Sequence, residues 1–95
     1  MSEGIQIAVD SVPRLPRGVK FRFDKTREKW VVLAPERVFV PDDIAVEVLK
    51  RCDGEATVDA IVEDLAATFN APRDVIAKDV LAMLQDLANK GVMTA

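Results

Sequence analysis

Histidine is absent from this sequence of 95 residues, and cysteine occurs once, at Cys52. Histidine is the commonest general base and the commonest neutral metal ligand, so its absence excludes Ser-His and Cys-His catalysis and histidine-based zinc sites. A single cysteine forms neither an internal disulfide nor an all-cysteine zinc site. We therefore expect a protein that is not an enzyme and needs no cofactor or metal, and the lone cysteine favours a reducing, cytoplasmic setting.

Long apolar runs are also missing. No segment approaches the roughly 18 consecutive apolar residues of a membrane-spanning helix. The first ten residues lack the basic start and apolar core of a signal peptide. A chain of this length predicts one domain with a modest core, and it leaves no room for a deep catalytic cleft.

The first half of the chain predicts β-structure. Residues 1–12 are predicted to be a flexible tail or linker, and residues 13–95 a single binding domain. Apolar and polar residues alternate over 19–23, and β-branched and aromatic residues fill 30–33 and 37–40, which indicates three strands. The short connections favour an antiparallel meander. The third strand, which Pro41 ends, is then an edge of the sheet.

From Asp42 onward the apolar residues recur with a period of 3.6, which predicts three helices. Asp42 and Asp43 suit a helix start, Thr57 suits the cap of a second helix, and Pro72 suits the first turn of a third. The predicted fold class is therefore α+β, with a three-stranded antiparallel sheet followed by three helices. The last two helices are similar to the helical part of a winged helix-turn-helix.

That architecture suggests DNA binding as one function, but the charges argue against it. The second helix carries three acidic residues and no basic one, and the third has no excess of positive charge. DNA affinity comes largely from Lys and Arg on phosphates, so such helices would gain little. A DNA-binding winged-helix regulator stays as the alternative function.

Eight of the basic residues lie between residues 13 and 40, where only three acids oppose them. Such charges commonly protect a solvated sheet edge, and they also steer an acidic peptide or partner. The edge strand itself has two interpretations. It is either a protected edge or a site where an extended peptide adds as a further strand. A structural or dimerisation domain that uses the same edge is a third possibility.

The segment Trp30-Val31-Val32-Leu33-Ala34-Pro35-Glu36-Arg37 resembles the strand, turn and strand of the PqqD family, the pyrroloquinoline quinone (PQQ) biosynthesis accessory proteins. Other similar positions follow in the same order along the chain, from about Pro13 to Val92: Pro13, Gly18, Asp24, Asp53-Gly54, Ile61, Leu65, Asp79-Val80, Leu84, Leu87 and Gly91. The motifs are mainly structural, and it is their joint order and spacing that resemble the family.

The resemblance implies a RiPP recognition element, which is a peptide chaperone without chemistry of its own. PqqD-like proteins bind the precursor peptide PqqA and present it to the radical SAM enzyme PqqE, which joins a glutamate to a tyrosine in that peptide. Some are fused to the oxidase PqqC, so fusion or association with PqqC is also implied. The implied partners include no nucleic acid and no membrane.

The resemblance also implies where the peptide binds. It would add to the third strand, Arg37, Val38, Phe39 and Val40, in a groove closed by the third helix. By helical spacing, the wall would come from Arg73, Ala77, Val80, Leu81 and Leu84. Arg37, Arg73 and Lys78 would pair with acidic residues of the peptide.

Overall fold

The computed structural model describes residues 6–95. It has three strands, β1 (Lys20–Asp24), β2 (Lys29–Ala34) and β3 (Arg37–Phe39), and then three helices, α1 (Asp43–Lys50), α2 (Val58–Phe69) and α3 (Arg73–Asn89). β2 lies between β1 and β3 in an antiparallel sheet. The predicted α+β fold is confirmed. Within residues 6–95, no helix combines the length and the hydropathy that a bilayer crossing requires.

The helix starts follow the polar residues that the sequence suggests. The side chain of Asp42 accepts a hydrogen bond from the Ala45 N–H at 2.8 Å, and that of Thr57 accepts one from the Ala60 N–H at 3.1 Å. These caps satisfy N–H groups that have no partner inside the helix. Pro72 precedes the first residue of α3 and fixes the entry of the chain without a side-chain cap. The two side-chain caps fix where α1 and α2 begin, and Pro72 fixes where α3 begins.

The two faces of the sheet differ because side chains alternate along each strand. Phe21, Val32 and Phe39 lie opposite one another on the face that packs against the helices. We call the opposite side of the sheet the outer face. Its members are Lys20, Arg22, Asp24, Lys29, Val31, Leu33 and Val38. The helix-facing side therefore supplies the core, and the outer face carries most of the charge of the strands.

The core is apolar throughout the described residues, with no buried polar or charged side chain among them. Val48 of α1, Ile61 of α2 and Leu84 of α3 are each at most 1% exposed. Full burial of such a side chain contributes about 1.5–3 kcal/mol. The helices are thus fixed to the sheet by apolar packing, and polar contacts lie at the surface.

Residues 6–12 differ from the loose tail predicted from the sequence. Ile7 is 6% exposed, and its N–H donates to Gln85 Oε1 at 2.9 Å. The carbonyls of Val9 and Ser11 accept hydrogen bonds from the start of α2, each at 2.9 Å. One buried isoleucine and these bonds hold the segment against the helices. Residues 1–5 lie outside the described residues, so a flexible tail or linker there stays a prediction.

Candidate functional site

The exposed edge of β3 offers backbone groups for pairing. Ala34 and Arg37 face each other across the two-residue turn Pro35–Glu36. A pair that flanks such a turn is hydrogen-bonded, and hydrogen-bonded pairs alternate with non-bonded pairs along an antiparallel ladder. Val38 follows Arg37, so its backbone N–H and C=O are directed away from β2. The free edge of β3 therefore presents a donor and an acceptor at Val38.

The side chains of the third-strand segment have separate roles. Arg37 donates to the carbonyl oxygen of Lys90 at 2.8 Å, and its guanidinium lies 5.0 Å from the centre of the Phe39 ring. Phe39 is half-buried against the core. Val38 is 49% exposed and Val40 is 53% exposed. Arg37 thus ties β3 to the end of α3, and the two valines remain accessible.

An apolar groove of about 540 Å³ opens between the three helices. Seven apolar and three acidic residues line it: Ile44, Val48, Leu65, Phe69, Ile76, Val80 and Met83, with Asp43, Glu47 and Asp79. Ile44 is 66% exposed and Phe69 is 54% exposed. More than half of each of these apolar side chains is left uncovered by the described chain, and a concave apolar site of this size suits the side chains of a ligand.

The apolar groove and the β3 edge are consecutive along the chain. Only residues 40–42 separate the end of β3 from the start of α1. The first two residues of α1, Asp43 and Ile44, already form a wall of the groove. The strand edge and the groove are therefore linked through the start of α1.

The structure separates the residues that were predicted to form the helix wall. Val80 lines the apolar groove, but Leu84 is 0% exposed and belongs to the core. Ala77 and Leu81 are half-buried against the core, and Lys78 is exposed. The peptide-binding role of these residues stays a prediction.

Arg73 is held by α2. Its guanidinium forms ion pairs with Asp59 and Glu63. Hydrogen bonds to Glu63 and Asp59 raise the pKa of Arg73 above its ordinary value. Because both acids already neutralise it, Arg73 is poorly placed to pair with an acidic ligand residue.

Sequence reasoning missed most of the groove. Ile76, Asp79 and Met83 lie on the same side of α3 as Val80, and Ile44 and Phe69 come from the other two helices. The spacing of Ile76, Val80 and Met83 is typical of any buried helix stripe. The acid Asp79 beside that stripe is the one signal that could have marked it as partly open to solvent.

Cys52 is not arranged as a nucleophile. Its thiol donates to the Val48 carbonyl at 3.3 Å. Burial, together with the charge of Asp53, raises the pKa of the Cys52 thiol to about 12. A thiolate is the reactive form of cysteine, so this thiol is inert near neutral pH. Among residues 6–95, no three of the Cys, Asp and Glu side chains converge closely enough to share a metal ion.

A second groove, of about 560 Å³, lies on the other side of α1. Trp30 forms part of it, stacked on Phe21 at 4.8 Å and edge-on to Phe23 at 5.7 Å, with Lys50 5.3 Å from its ring centre. Charged residues make up much of its lining: Glu28, Lys29, Asp42, Asp43, Glu47 and Lys50. Because its ring already contacts Phe21, Phe23 and Lys50, Trp30 stabilises the sheet against α1. The charged lining makes this groove the weaker candidate for an apolar ligand.

The proteins that are similar to this chain in sequence include peptide-binding proteins. The family model described as coenzyme PQQ synthesis protein D (PqqD) matches residues 29–93. The PqqA binding protein of Rhodopseudomonas palustris strain BisB5 is 56% identical over 93 residues, which cover 98% of this chain and 91% of that protein. The match includes the strands, the helices and the loops between them.

Two further likenesses involve a fused protein from a methylotroph. The bifunctional coenzyme PQQ synthesis protein C/D of Methylorubrum extorquens strain AM1 is 54% identical over 82 residues, which cover 86% of this chain and 22% of that protein. The solution NMR structure of the PqqD truncation of Methylobacterium extorquens PqqCD, described as a functional and stand-alone RiPP recognition element, is 49% identical. It superposes with a TM-score of 0.80 and covers 94% of this chain and 95% of that one.

Proposed function

The chain belongs to the PqqD family, and on that premise we propose that it is a peptide-binding adaptor of PQQ biosynthesis. It binds the precursor peptide PqqA as an added strand and presents it to the radical SAM enzyme PqqE. The observation that carries the proposal is the free edge of β3, together with an apolar groove lined in part by α1, the next element along the chain. An adaptor of this kind does no chemistry, in agreement with the inert thiol of Cys52.

Binding would combine two kinds of contact. Backbone hydrogen bonds to the β3 edge orient the peptide without reading its sequence, and side-chain contacts in a pocket add most of the affinity and the specificity. Here the pocket is the apolar groove, where the exposed parts of Ile44 and Phe69 await an apolar side chain. Its charged lining residues are all acidic. They favour a neutral or basic peptide residue next to the apolar one, because a like charge would be repelled.

The same contacts weigh against DNA binding. Arg73, at the start of α3, is neutralised by Asp59 and Glu63 and so is not available to phosphates. No basic residue lines the apolar groove. Phosphate contacts from Lys and Arg dominate DNA affinity, so these helices lack the positive charge that a DNA-recognition helix needs.

The proposal also includes a partner protein and a cellular location. The C/D protein of M. extorquens joins a region like this chain to a longer protein, so an association with PqqC is part of the proposed function. A cytoplasmic location is also part of it. PqqE is a radical SAM enzyme, and the one cysteine of this chain, Cys52, is a free thiol, as is usual in a reducing compartment.

The test is to remove the outward N–H of β3. Proline at an edge position is tolerated when the lost N–H faces solvent, so Val38→Pro should fold. Its ring and missing donor should block the added strand and raise the dissociation constant for a synthetic PqqA peptide at least about tenfold. Val38→Ala keeps the N–H and is the matched control. Phe39 is unsuitable for this test because it packs against the core.

Isothermal titration calorimetry gives the affinities, and backbone amide NMR spectra verify that each variant is folded. We expect wild-type shifts at residues 37–40 and around the apolar groove, and tight binding by Val38→Ala. If folded Val38→Pro binds the peptide as tightly as the wild type, strand addition at β3 is wrong.

A further inference from the structure

The outer face of the sheet combines cations with apolar side chains. Lys20 lies opposite Leu33, which in turn lies opposite Val38, and Arg22 lies opposite Val31. Lys20 and Arg22 are exposed, as is Lys29. Val31 and Leu33 also line a shallow groove of about 400 Å³ on this face. Val31 is only 1% exposed, so the accessible apolar area of this face comes from Leu33 and Val38, neither of which belongs to the core that the helices cover.

The charges of the chain are segregated. Residues 13–40 carry eight basic and three acidic side chains, a net charge of +5. Since the whole chain has a net charge of −3, the rest carries −8. The sheet is therefore the basic end of an acidic protein, and its field attracts acidic surfaces.

The basic residues of the sheet and those of the helices also differ in whether they form ion pairs. Four of the five basic residues beyond residue 40 form ion pairs within the chain: Lys50, Arg51, Arg73 and Lys90. Among the basic residues of the sheet end, only Arg27 does so in the described part of the chain, with Asp24 at 3.4 Å. Lys20, Arg22 and Lys29 thus form no ion pair within the described residues, although Asp24 lies opposite Lys29, and they lie beside the exposed side chain of Val38.

Strand addition would place the peptide next to this surface. A strand paired with β3 extends the sheet, and every second side chain of an added strand points to the same side as the outer face. A protein docked on the outer face would therefore touch both the adaptor and half of the peptide side chains.

We propose that the outer face docks an acidic surface with an apolar centre on the enzyme that receives the bound peptide. The cations Lys20, Arg22 and Lys29 steer and orient that surface, and Leu33 and Val38 supply its apolar contact. The identity of the enzyme rests on the proposed function. The basic and apolar composition of the face is independent of it.

Two other occupants fit less well. A second copy would have to place its acidic helices on the outer face, and such a head-to-tail contact builds rings or open chains and not a two-fold dimer. Several of those acids are already paired within the chain, among them Glu47, Asp59 and Glu63. A nucleic acid would gain little from the apolar centre, and the aromatic rings of Phe21 and Trp30 lie on the helix-facing side, out of reach of stacked bases.

The test compares two variants that lower the net charge equally. Lys20→Gln/Arg22→Gln removes two positive charges from the outer face. Ala67→Glu/Ala82→Glu adds two negative charges at exposed positions of α2 and α3, outside the apolar groove. Surface plasmon resonance measures binding to purified PqqE in the presence of PqqA peptide at low and high salt. Calorimetry measures binding to the peptide alone, and sedimentation velocity measures self-association.

We expect the outer-face variant to bind PqqE at least about tenfold more weakly at low salt, with a smaller salt dependence, because steering charges act on association. Its PqqA affinity should stay within about twofold, and the helix variant should bind both as the wild type does. Unchanged PqqE binding by the outer-face variant overturns the proposal. So does loss of PqqA binding by that variant, or a self-association that the variant abolishes.

The two hypotheses fail separately in this design. Wild-type protein that does not bind PqqA refutes the proposed function. Wild-type protein that binds PqqA but not PqqE refutes only the docking proposal. So does an outer-face variant that keeps PqqE binding but loses the binding of a duplex oligonucleotide that the wild type shows.

Discussion

Ile44 provides the sharpest test of the apolar groove. It lies in the first turn of α1 with 66% of its surface exposed. A side chain this exposed contributes little to folding, so its replacement by alanine should change the free energy of unfolding by less than about 0.5 kcal/mol. If a peptide side chain fills the groove, the same replacement should weaken binding.

The expected loss follows from the exposed area. Full burial of an isoleucine is worth about 1.5–3 kcal/mol, and a peptide can cover at most the two thirds that are open, which corresponds to about 1–2 kcal/mol. A difference of this size raises the dissociation constant about five- to thirtyfold. Alanine keeps part of the contact, so the figure is an upper limit. Phe69, 54% exposed on the opposite wall, should behave similarly.

Val75→Ala is the matched control. Val75 is a β-branched residue on a helix and is 52% exposed, but it does not line the groove. Fluorescence anisotropy with a labelled PqqA peptide should separate Ile44→Ala and Phe69→Ala from Val75→Ala, while thermal unfolding stays similar in all three. Equal affinities in all three variants would show that the groove is not the side-chain pocket.

Three further results are expected. Cys52 should react with a thiol reagent at pH 8 far more slowly in the native protein than in guanidinium, because burial raises its pKa to about 12; equal rates would contradict that burial. Leu84→Ala should lower the free energy of unfolding by about 2–5 kcal/mol in a urea titration, because Leu84 is fully buried. The pKa of Glu47 is lowered, mainly by the Arg51 hydrogen bond, and the pKa of Asp53 is lowered by the Ala56 and Glu55 N–H groups. In acid the unfolded chain therefore binds more protons than the folded chain, and the melting temperature should fall as the pH drops below about 4.5. A melting temperature that rises as the pH drops in that range would contradict the lowered pKa values.

The sequence predicted the elements better than their ends. Alternation over residues 19–23 was sufficient for the first strand, and the β-branched and aromatic residues of 30–33 were sufficient for the second. The apolar stripe of the first helix continued to Cys52, but α1 ends at Lys50. The N–H of Arg51 bonds to the Val48 carbonyl at 3.0 Å, so the last turn tightens and the stripe runs on outside the helix.

The packing of residues 6–12 and the apolar groove were not predicted, for a different reason. Ile7 is one apolar residue in a polar segment, and a single buried side chain produces no periodicity. Ile76, Val80 and Met83 have the spacing of core residues, and only the positions of α1 and α2 decide that they line an opening. Both features depend on tertiary packing, which a local pattern does not contain.

The shortness of β3 decides how a peptide must be recognised. The strand has three residues, and the alternation of pairing leaves one of them, Val38, with both backbone groups directed outward. A hydrogen bond contributes only about 0.5–1.5 kcal/mol net, so two bonds at Val38 fall far short of even micromolar affinity, which requires about 8 kcal/mol. Most of the binding energy must therefore come from side chains, and the apolar groove, where Ile44 and Phe69 are more than half exposed, offers such contacts. Backbone pairing at β3 then sets the direction of the peptide, and the groove sets which peptide is held.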